Sequence, residues 1–204
     1  MIDVRYHWWW RPGWQPGRRF YTFHFTFERQ PAVQRLAAEV RERLAGFPAL
    51  DPVPGRWLHL TTQGIGFTDE VSDGDLMAIT AAARDRLIVV RPAEVTVSAP
   101  HTASEGVASR VGPDGALDPA RDALRAAIGD VWGADKVPEA PEWSPHVSYA
   151  YANADADSGP YDAALDGLGP VPVTVAAVEL IRLGRDRRVY EWETMASLPL
   201  GDHG

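Results

Sequence analysis

Two short runs of the sequence carry side chains able to move protons next to a phosphate. His59-Leu60-Thr61 and His146-Val147-Ser148 each place an imidazole and a hydroxyl two residues apart. Side chains alternate between the faces of a strand, so this spacing puts both groups on one surface. Leu58, Leu60, Val147 and Tyr149 then point the other way, into a core. Each run offers a proton carrier beside a hydrogen-bond donor. Two such pairs across one cleft suit the cleavage of a phosphodiester. One neutral histidine takes a proton from the attacking water or hydroxyl, and the other, protonated, delivers one to the leaving oxygen. The hydroxyls of Thr61 and Ser148 are placed to donate to the non-bridging oxygens, where charge develops. The scheme needs neither a metal nor another cofactor, and it leaves open which histidine is the acid and which the base.

A third run, His24-Phe25-Thr26, has the same pattern. It lies in a segment, Phe20 to Phe27, that alternates strictly between aromatic and polar residues and so predicts a half-buried strand. Phe23, Phe25 and Phe27 take the core, which leaves His24 and Thr26 on the other face as candidate substrate contacts or as hydrogen-bonded structural residues. Gln63 continues the face of His59 and Thr61 and is a further candidate contact. Gly64-Ile65-Gly66 reads as a bend after the strand, not a phosphate loop, because it lacks the longer glycine pattern and the following lysine.

The elements expected around these runs repeat. A helix begins at Pro31, with Val33, Leu36, Ala37, Val40 and Leu44 on its apolar face, and ends by Gly46. The strand from Trp57 to Thr62 follows. A second helix runs from the cap Ser72 to Leu87, then strands at Val95–Ser98 and Gly106–Val111. A third helix begins at Asp118-Pro119 and ends before Gly133, and His146–Tyr151 is the strand after it. A short helix over Tyr161–Leu168 and strands at Val173–Leu183 and Val189–Leu198 close the chain. His59 lies 28 positions after Pro31, and His146 lies 27 after Pro119. Two similar units packed about a pseudo-two-fold axis would set the two histidine strands side by side. Only His59 and His146 hold equivalent places in that repeat, which selects them over His24. His101, after Pro100, reads as a surface loop residue, and His7 and His203, near the termini, carry no signal. Arg182 and Arg185 read most simply as a solvated strand end.

The paired His-hydrophobic-Thr/Ser-hydrophobic runs, His59-Leu60-Thr61-Thr62 and His146-Val147-Ser148-Tyr149, resemble the 2H phosphoesterase superfamily, and the bacterial 2′-5′ RNA ligase/cyclic phosphodiesterase family in particular. Thr62 departs from the hydrophobic residue that the pattern prefers. The resemblance covers about residues 20–198. It implies a bilobal α+β fold with antiparallel sheets lining a central cleft and helices outside. It also implies catalytic roles for His59 and His146, phosphate binding by Thr61 and Ser148, and 2′,3′-cyclic or 2′-5′ phosphodiesters of nucleotides or RNA ends as substrates.

Residues 1–19 stand outside that resemblance as an arm rich in Trp and Arg, and 199–204 form a C-terminal tail. The arm (Tyr6-His7-Trp8-Trp9-Trp10-Arg11 onward) is too aromatic for a disordered tail. It either packs its tryptophans on the domain surface or adds stacking and cationic groups to a nucleotide site. The 204 residues include 45% hydrophobic ones, enough for one core of two closely packed lobes. A net charge of −8 disfavours long nucleic acid as a partner, although Arg5, Arg11, Arg18 and Arg19 soften that objection. With no cysteine, disulfides and thiol chemistry are excluded. No signal-like or membrane-spanning segment is evident. The expectation is a cytoplasmic enzyme acting on a small nucleotide or an RNA end. The competing readings are 2′-5′ ligation and a nucleotide-binding module without turnover.

Overall fold

The structure, a computed structural model, describes residues 3–139 and 143–201; His203 lies outside them. Strands are β1 (Asp3–Val4), β2 (Phe20–Thr26), β3 (Leu50–Pro52), β4 (His59–Phe67), β5 (Ala93–Val97), β6 (His101–Ala103), β7 (Gly106–Gly112), β8 (His146–Ala152), β9 (Ala156–Asp157), β10 (Val171–Val175), β11 (Ala177–Gly184) and β12 (Glu191–Pro199). Helices are α1 (Pro31–Arg43), α2 (Asp73–Leu87), α3 (Asp118–Trp132) and α4 (Gly159–Leu165). No helix of the described residues is long and apolar enough to cross a membrane.

The helices form where local chemistry favours them. Pro31 opens α1 with its φ already fixed, and Val33, Leu36, Ala37 and Val40 bury one stripe of it. Ser72 caps α2 by accepting the Asp75 N–H at 3.1 Å, and Asp73 and Asp75 complement the dipole of the first turn. α3 buries Ala120, Leu124, Ala127 and Ile128 and packs against α2.

Two antiparallel sheets make the two lobes. One has the order β12-β11-β2-β4; the other runs β10-β5-β7-β8-β3, with β6 also on β7. The arrangement is the bilobal α+β fold expected. The long strand expected over Val173–Leu183 is in fact two strands in different sheets. β10 pairs with β5 in the second lobe, and β11 pairs with β2 and β12 in the first. Continuous apolar character hid the crossing at Ala176, because both pieces alternate equally well. His101 is also not in a loop: with Thr102 and Ala103 it forms a short hairpin strand on β7.

The two histidine strands lie at facing edges. β4 ends its sheet. On β8, β3 pairs only with Ala150–Ala152, which leaves the His146 end of that edge unpaired, and β4 and β8 contact each other. The Trp143 indole N–H bridges the lobes by donating to the Thr61 carbonyl at 3.0 Å.

The arm is strapped across both lobes. β1 pairs with β9, the Arg5 N–H donates to the Ser104 carbonyl at 2.8 Å, and that of His7 donates to the Ala152 carbonyl at 2.9 Å. Further on, Arg18 pairs with Asp69 and Glu70 on the first lobe, and Arg19 with Asp186. Trp8 is buried, whereas Trp9 and Trp10 are exposed. Arg185, expected at a solvated strand end, is only 4% exposed. Its guanidinium donates to the Trp9 carbonyl at 3.2 Å and lies within 5.5 Å of the Trp8 ring centre.

Gly106 begins β7 at the hairpin turn with φ +151°, and a Cβ there would come within 2.1 Å of the Ala150 carbonyl oxygen. Both partners are backbone and cannot move aside. Gly106→Ala should therefore lower stability by about 2–5 kcal/mol, read as a lowered melting temperature; an unchanged melt would contradict the close approach of β7 and β8.

Candidate active site

His59, Thr61, His146 and Ser148 all line one cleft of about 700 Å³, within the size range of nucleotide-sized ligand sites. The two halves are built alike to a depth that the sequence did not reveal. His59 Nδ1–H donates to the carbonyl of Trp57 at 2.8 Å, and His146 Nδ1–H to that of Ser144 at 2.8 Å. In both cases the acceptor is the residue two positions earlier. Because a carbonyl only accepts, each Nδ1 carries the hydrogen, and each neutral ring offers its Nε2 lone pair.

The strands also bulge at matching places. On β4, Thr61 pairs with His24 and Gln63 with Phe23, so Thr62 is the extra residue. On β8, Ser148 pairs with Ala108 and Ala150 with Val107, so Tyr149 is the extra one. Each bulge lies three residues after the histidine and bends the strand where the hydroxyl is presented. The polar Thr62, a departure from the family pattern, is the bulged residue and is buried.

The bulge also explains why Gln63 does not continue the face of Thr61. It reverses the alternation, so Gln63 shares the Phe23 face. There it is buried, donating to the Pro138 carbonyl at 3.0 Å and accepting from Arg125 at 3.1 Å. Gly64 takes the cleft position instead. Thr26 pairs with His59 but does not line the cleft. His24 does line it. It stacks on His59 with ring centres 4.5 Å apart and planes within 4°, and neither of its buried ring nitrogens has a hydrogen-bond partner among the described residues.

The two central histidines differ in setting. His146 is exposed, whereas His59 is 8% exposed and forms the cleft floor. His24, Trp192 and Tyr190 surround it, the latter two edge-on at 5.3 and 6.0 Å. Burial lowers the His59 pKa from 6.5 to about 4; the Trp57 carbonyl opposes that, and a positive charge on His146 adds to it. His24 is held well below the ordinary imidazole value, first by burial and then by His59. Both rings are therefore neutral at pH 7.

The arm supplies His7, Arg11 and Trp14 to the same cleft. His7 carries no signal in the sequence, since a lone histidine in an irregular segment has no periodicity to place it. It is in fact buried. Its Nδ1–H donates to Glu105 at 2.8 Å, and its Nε2 accepts from the Tyr190 hydroxyl at 3.0 Å. Burial, outweighing Glu105, lowers its pKa to about 4. The His7 ring stacks at 4.1 Å on Tyr151, which lines the cleft together with Ser148. Arg11 donates to Glu105 at 2.6 Å. Among the described residues no group of three or more His, Asp or Glu side chains is arranged to hold a metal ion.

Three histidines that are neutral when folded, His7, His24 and His59, make folding weaker in acid. Their folded pKa values lie below the unfolded value, so the unfolded chain binds more protons as pH falls. The stability linked to them is complete above about pH 6.5 and is lost on the way down toward pH 4. Thermal melts should fall steadily over that interval, and His7→Gln should flatten the fall; a melt independent of pH there would contradict the buried neutral rings.

A sequence model described as the 2′-5′ RNA ligase superfamily matches residues 27–187. No curated protein matched by sequence. Among solved structures, TT0787 of Thermus thermophilus is similar with a TM-score of 0.68 at 21% identity, covering 91% of this chain and 100% of that one. E. coli LigT in apo form gives 0.63 at 17% identity, covering 91% and 99%. LigT complexed with 3′-AMP gives 0.65 at 15% identity over the same shares, 91% and 99%. These identities speak for the fold, and the matched family model speaks for descent: the chain belongs to the 2′-5′ RNA ligase superfamily, among the 2H phosphoesterases.

Proposed function

We propose that the protein hydrolyses 2′,3′-cyclic or 2′-5′ phosphodiesters of nucleotides or RNA ends by metal-independent general acid-base catalysis. The observation that carries this reading is the matched pair of Nδ1–H to carbonyl locks, at 2.8 Å each. With each Nδ1 so engaged, Nε2 is the ring nitrogen left free for chemistry in the one cleft that both histidines line. His59, neutral on the cleft floor, acts as the base, and its Nε2 takes a proton from water. The water oxygen bonds to phosphorus as the bond from phosphorus to the ribose oxygen breaks. Protonated His146 gives its Nε2 proton to that leaving oxygen. Open to solvent, His146 is reloaded from bulk water. Thr61 and Ser148 donate to the non-bridging oxygens as negative charge grows on them.

Beside this phosphate position lies a surface suited to a base. The Phe20 ring lies over Gly64, where a Cβ would meet it at 3.1 Å. Phe67 and Trp14 brace it, with ring centres 4.9 and 5.9 Å away. The hydroxyls and this platform are separated by about two strand residues, roughly 7 Å, a span that suits one nucleotide. That the similar LigT structure is complexed with 3′-AMP fits this reading. His24, with two unpartnered nitrogens, is the nearest candidate for a ribose or phosphate contact. The arm is a poor RNA-binding tract, because Arg11, Arg18 and Arg19 are already paired with carboxylates.

Turnover of 2′,3′-cyclic nucleotides should persist undiminished in excess chelator. His59→Ala and His146→Ala should each lose about 10²–10⁴-fold in kcat while melting as cooperatively as the parent. Activity abolished by chelator would instead demand a metal mechanism, and binding without turnover would favour a module that only holds nucleotides. Because His59 stays neutral down to about pH 4, the acidic limb of kcat/KM should lie well below pH 6.5. A limb at or above 6.5 would remove His59 from the role of base.

A further inference from the structure

The cleft has a cationic corner that the hydrolytic scheme does not use. On the second lobe Arg110 is the cross-strand partner of His146, and Ala108 that of Ser148. His101, on the neighbouring strand, pairs with Ala108. Paired residues of neighbouring strands share a face. His101, Ala108 and Arg110 therefore surround the catalytic pair on one side, and all three line the cleft. The matching places on the first lobe hold His24, where the second has Ala108, and Thr26, where it has Arg110. The pseudo-two-fold symmetry thus breaks at this corner. A bulky ring gives way to a methyl group, and a short hydroxyl to a guanidinium.

The charge at this corner is uncompensated. The chain carries a net charge of −8, and many of its arginines are neutralised: Arg11, Arg18, Arg19, Arg86, Arg125 and Arg182 each pair with a carboxylate. Arg110 is exposed. Its guanidinium makes no hydrogen bond or ion pair among the described residues, nor does the His101 ring; Arg110 is engaged through its main chain, its N–H donating to the Ser98 hydroxyl at 3.0 Å and its carbonyl accepting from the Ser98 N–H at 2.8 Å. The nearby acid of the cleft, Glu105, is already held by Arg11 and His7. An unpaired guanidinium beside a phosphate-sized site in an acidic protein matches an anion brought by the ligand.

Resting on the nucleotide phosphoesterase reading above, we propose that Arg110, with His101 across the space left by Ala108, forms a subsite for a second phosphate of the substrate. The cross-strand neighbours of His146 and Ser148 lie about 5 Å from them, and the arginine side chain reaches further. That distance suits a phosphate one ribose away from the one under attack. It is too lateral for Arg110 to replace Thr61 or Ser148 at the scissile group. The preferred substrates are then nucleotides phosphorylated at two positions, or an RNA end whose next diester occupies the corner.

Equilibrium binding of adenosine 3′,5′-bisphosphate and of 3′-AMP, by calorimetry at fixed salt, separates the outcomes. The parent should bind the bisphosphate about 10-fold or more tighter, as a charge-assisted guanidinium contact allows. Arg110→Met should bring that ratio close to one while leaving 3′-AMP affinity within about twofold. His101→Asn should reduce the ratio in part. Equal affinities in the parent would overturn the subsite, as would an Arg110→Met loss shared by both ligands, which would put Arg110 on the scissile phosphate. Failure of the parent to bind either nucleotide would instead sink the nucleotide reading itself. A dinucleotide ending in a 3′-phosphate distinguishes the two sources of the second phosphate: its own gain over 3′-AMP, lost in Arg110→Met, assigns the corner to an RNA diester as well.

Discussion

The site depends on a backbone constraint: two strands that belong to different sheets must meet edge to edge without joining into one. β4 is the last strand of its sheet, and the His146 end of β8 is left open by a β3 that stops at Ala150. A continuous ladder between them would fill the cleft that both strands line. Matching bulges at Thr62 and Tyr149 bend each strand just past its hydroxyl, and a bulge both ends regular pairing and re-aims side chains. The carbonyls of Trp57 and Ser144 then fix the rings from behind. The proposed catalytic face is thus set by main-chain groups on rigid elements, which is where a site of this kind gains its geometric accuracy.

The symmetry is one of backbone more than of chemistry. The first lobe buries its histidine under His24, Trp192 and Tyr190, and burial keeps the ring uncharged. The second leaves its histidine in solvent beside an arginine. Equivalent folds with unequal surroundings can give two like side chains opposite tasks, because environment decides which protonation state each holds. The arm contributes to that inequality. It links Glu105 and Tyr190, one from each lobe, through His7, and it stacks on Tyr151, which lines the cleft beside Ser148. It lies beyond the stretch matched by the family model, yet it forms part of the cleft wall.

Much of this was legible in the sequence, for reasons that can be stated residue by residue. Alternation over Phe20–Phe27 and proline-started helices at Pro31 and Pro119 mark the repeated units, and spacings of 28 and 27 positions to His59 and His146 select that pair over His24. What escaped depends on long-range geometry. A bulge has no compositional signature here, so simple alternation puts Gln63 on the face of Thr61, whereas the bulge at Thr62 turns it to the core side. His7 and Tyr190 gain meaning only once the arm crosses both lobes. Arg185 looked like a solvated end because nothing local shows that Trp8 and Trp14 will cover it. The carbonyls that hold the histidine rings belong to the main chain, and any residue type could supply them.

The central claim is that both imidazoles carry hydrogen on Nδ1 and turn Nε2 toward one phosphate. Long-range ¹H–¹⁵N NMR of the histidine rings, with and without inorganic phosphate, tests it directly. The account predicts the Nδ1–H tautomer for His59 at neutral pH, and phosphate-induced shifts at the Nε2 of both His59 and His146. An Nε2–H tautomer at His59, or a response confined to one of the two rings, would contradict it.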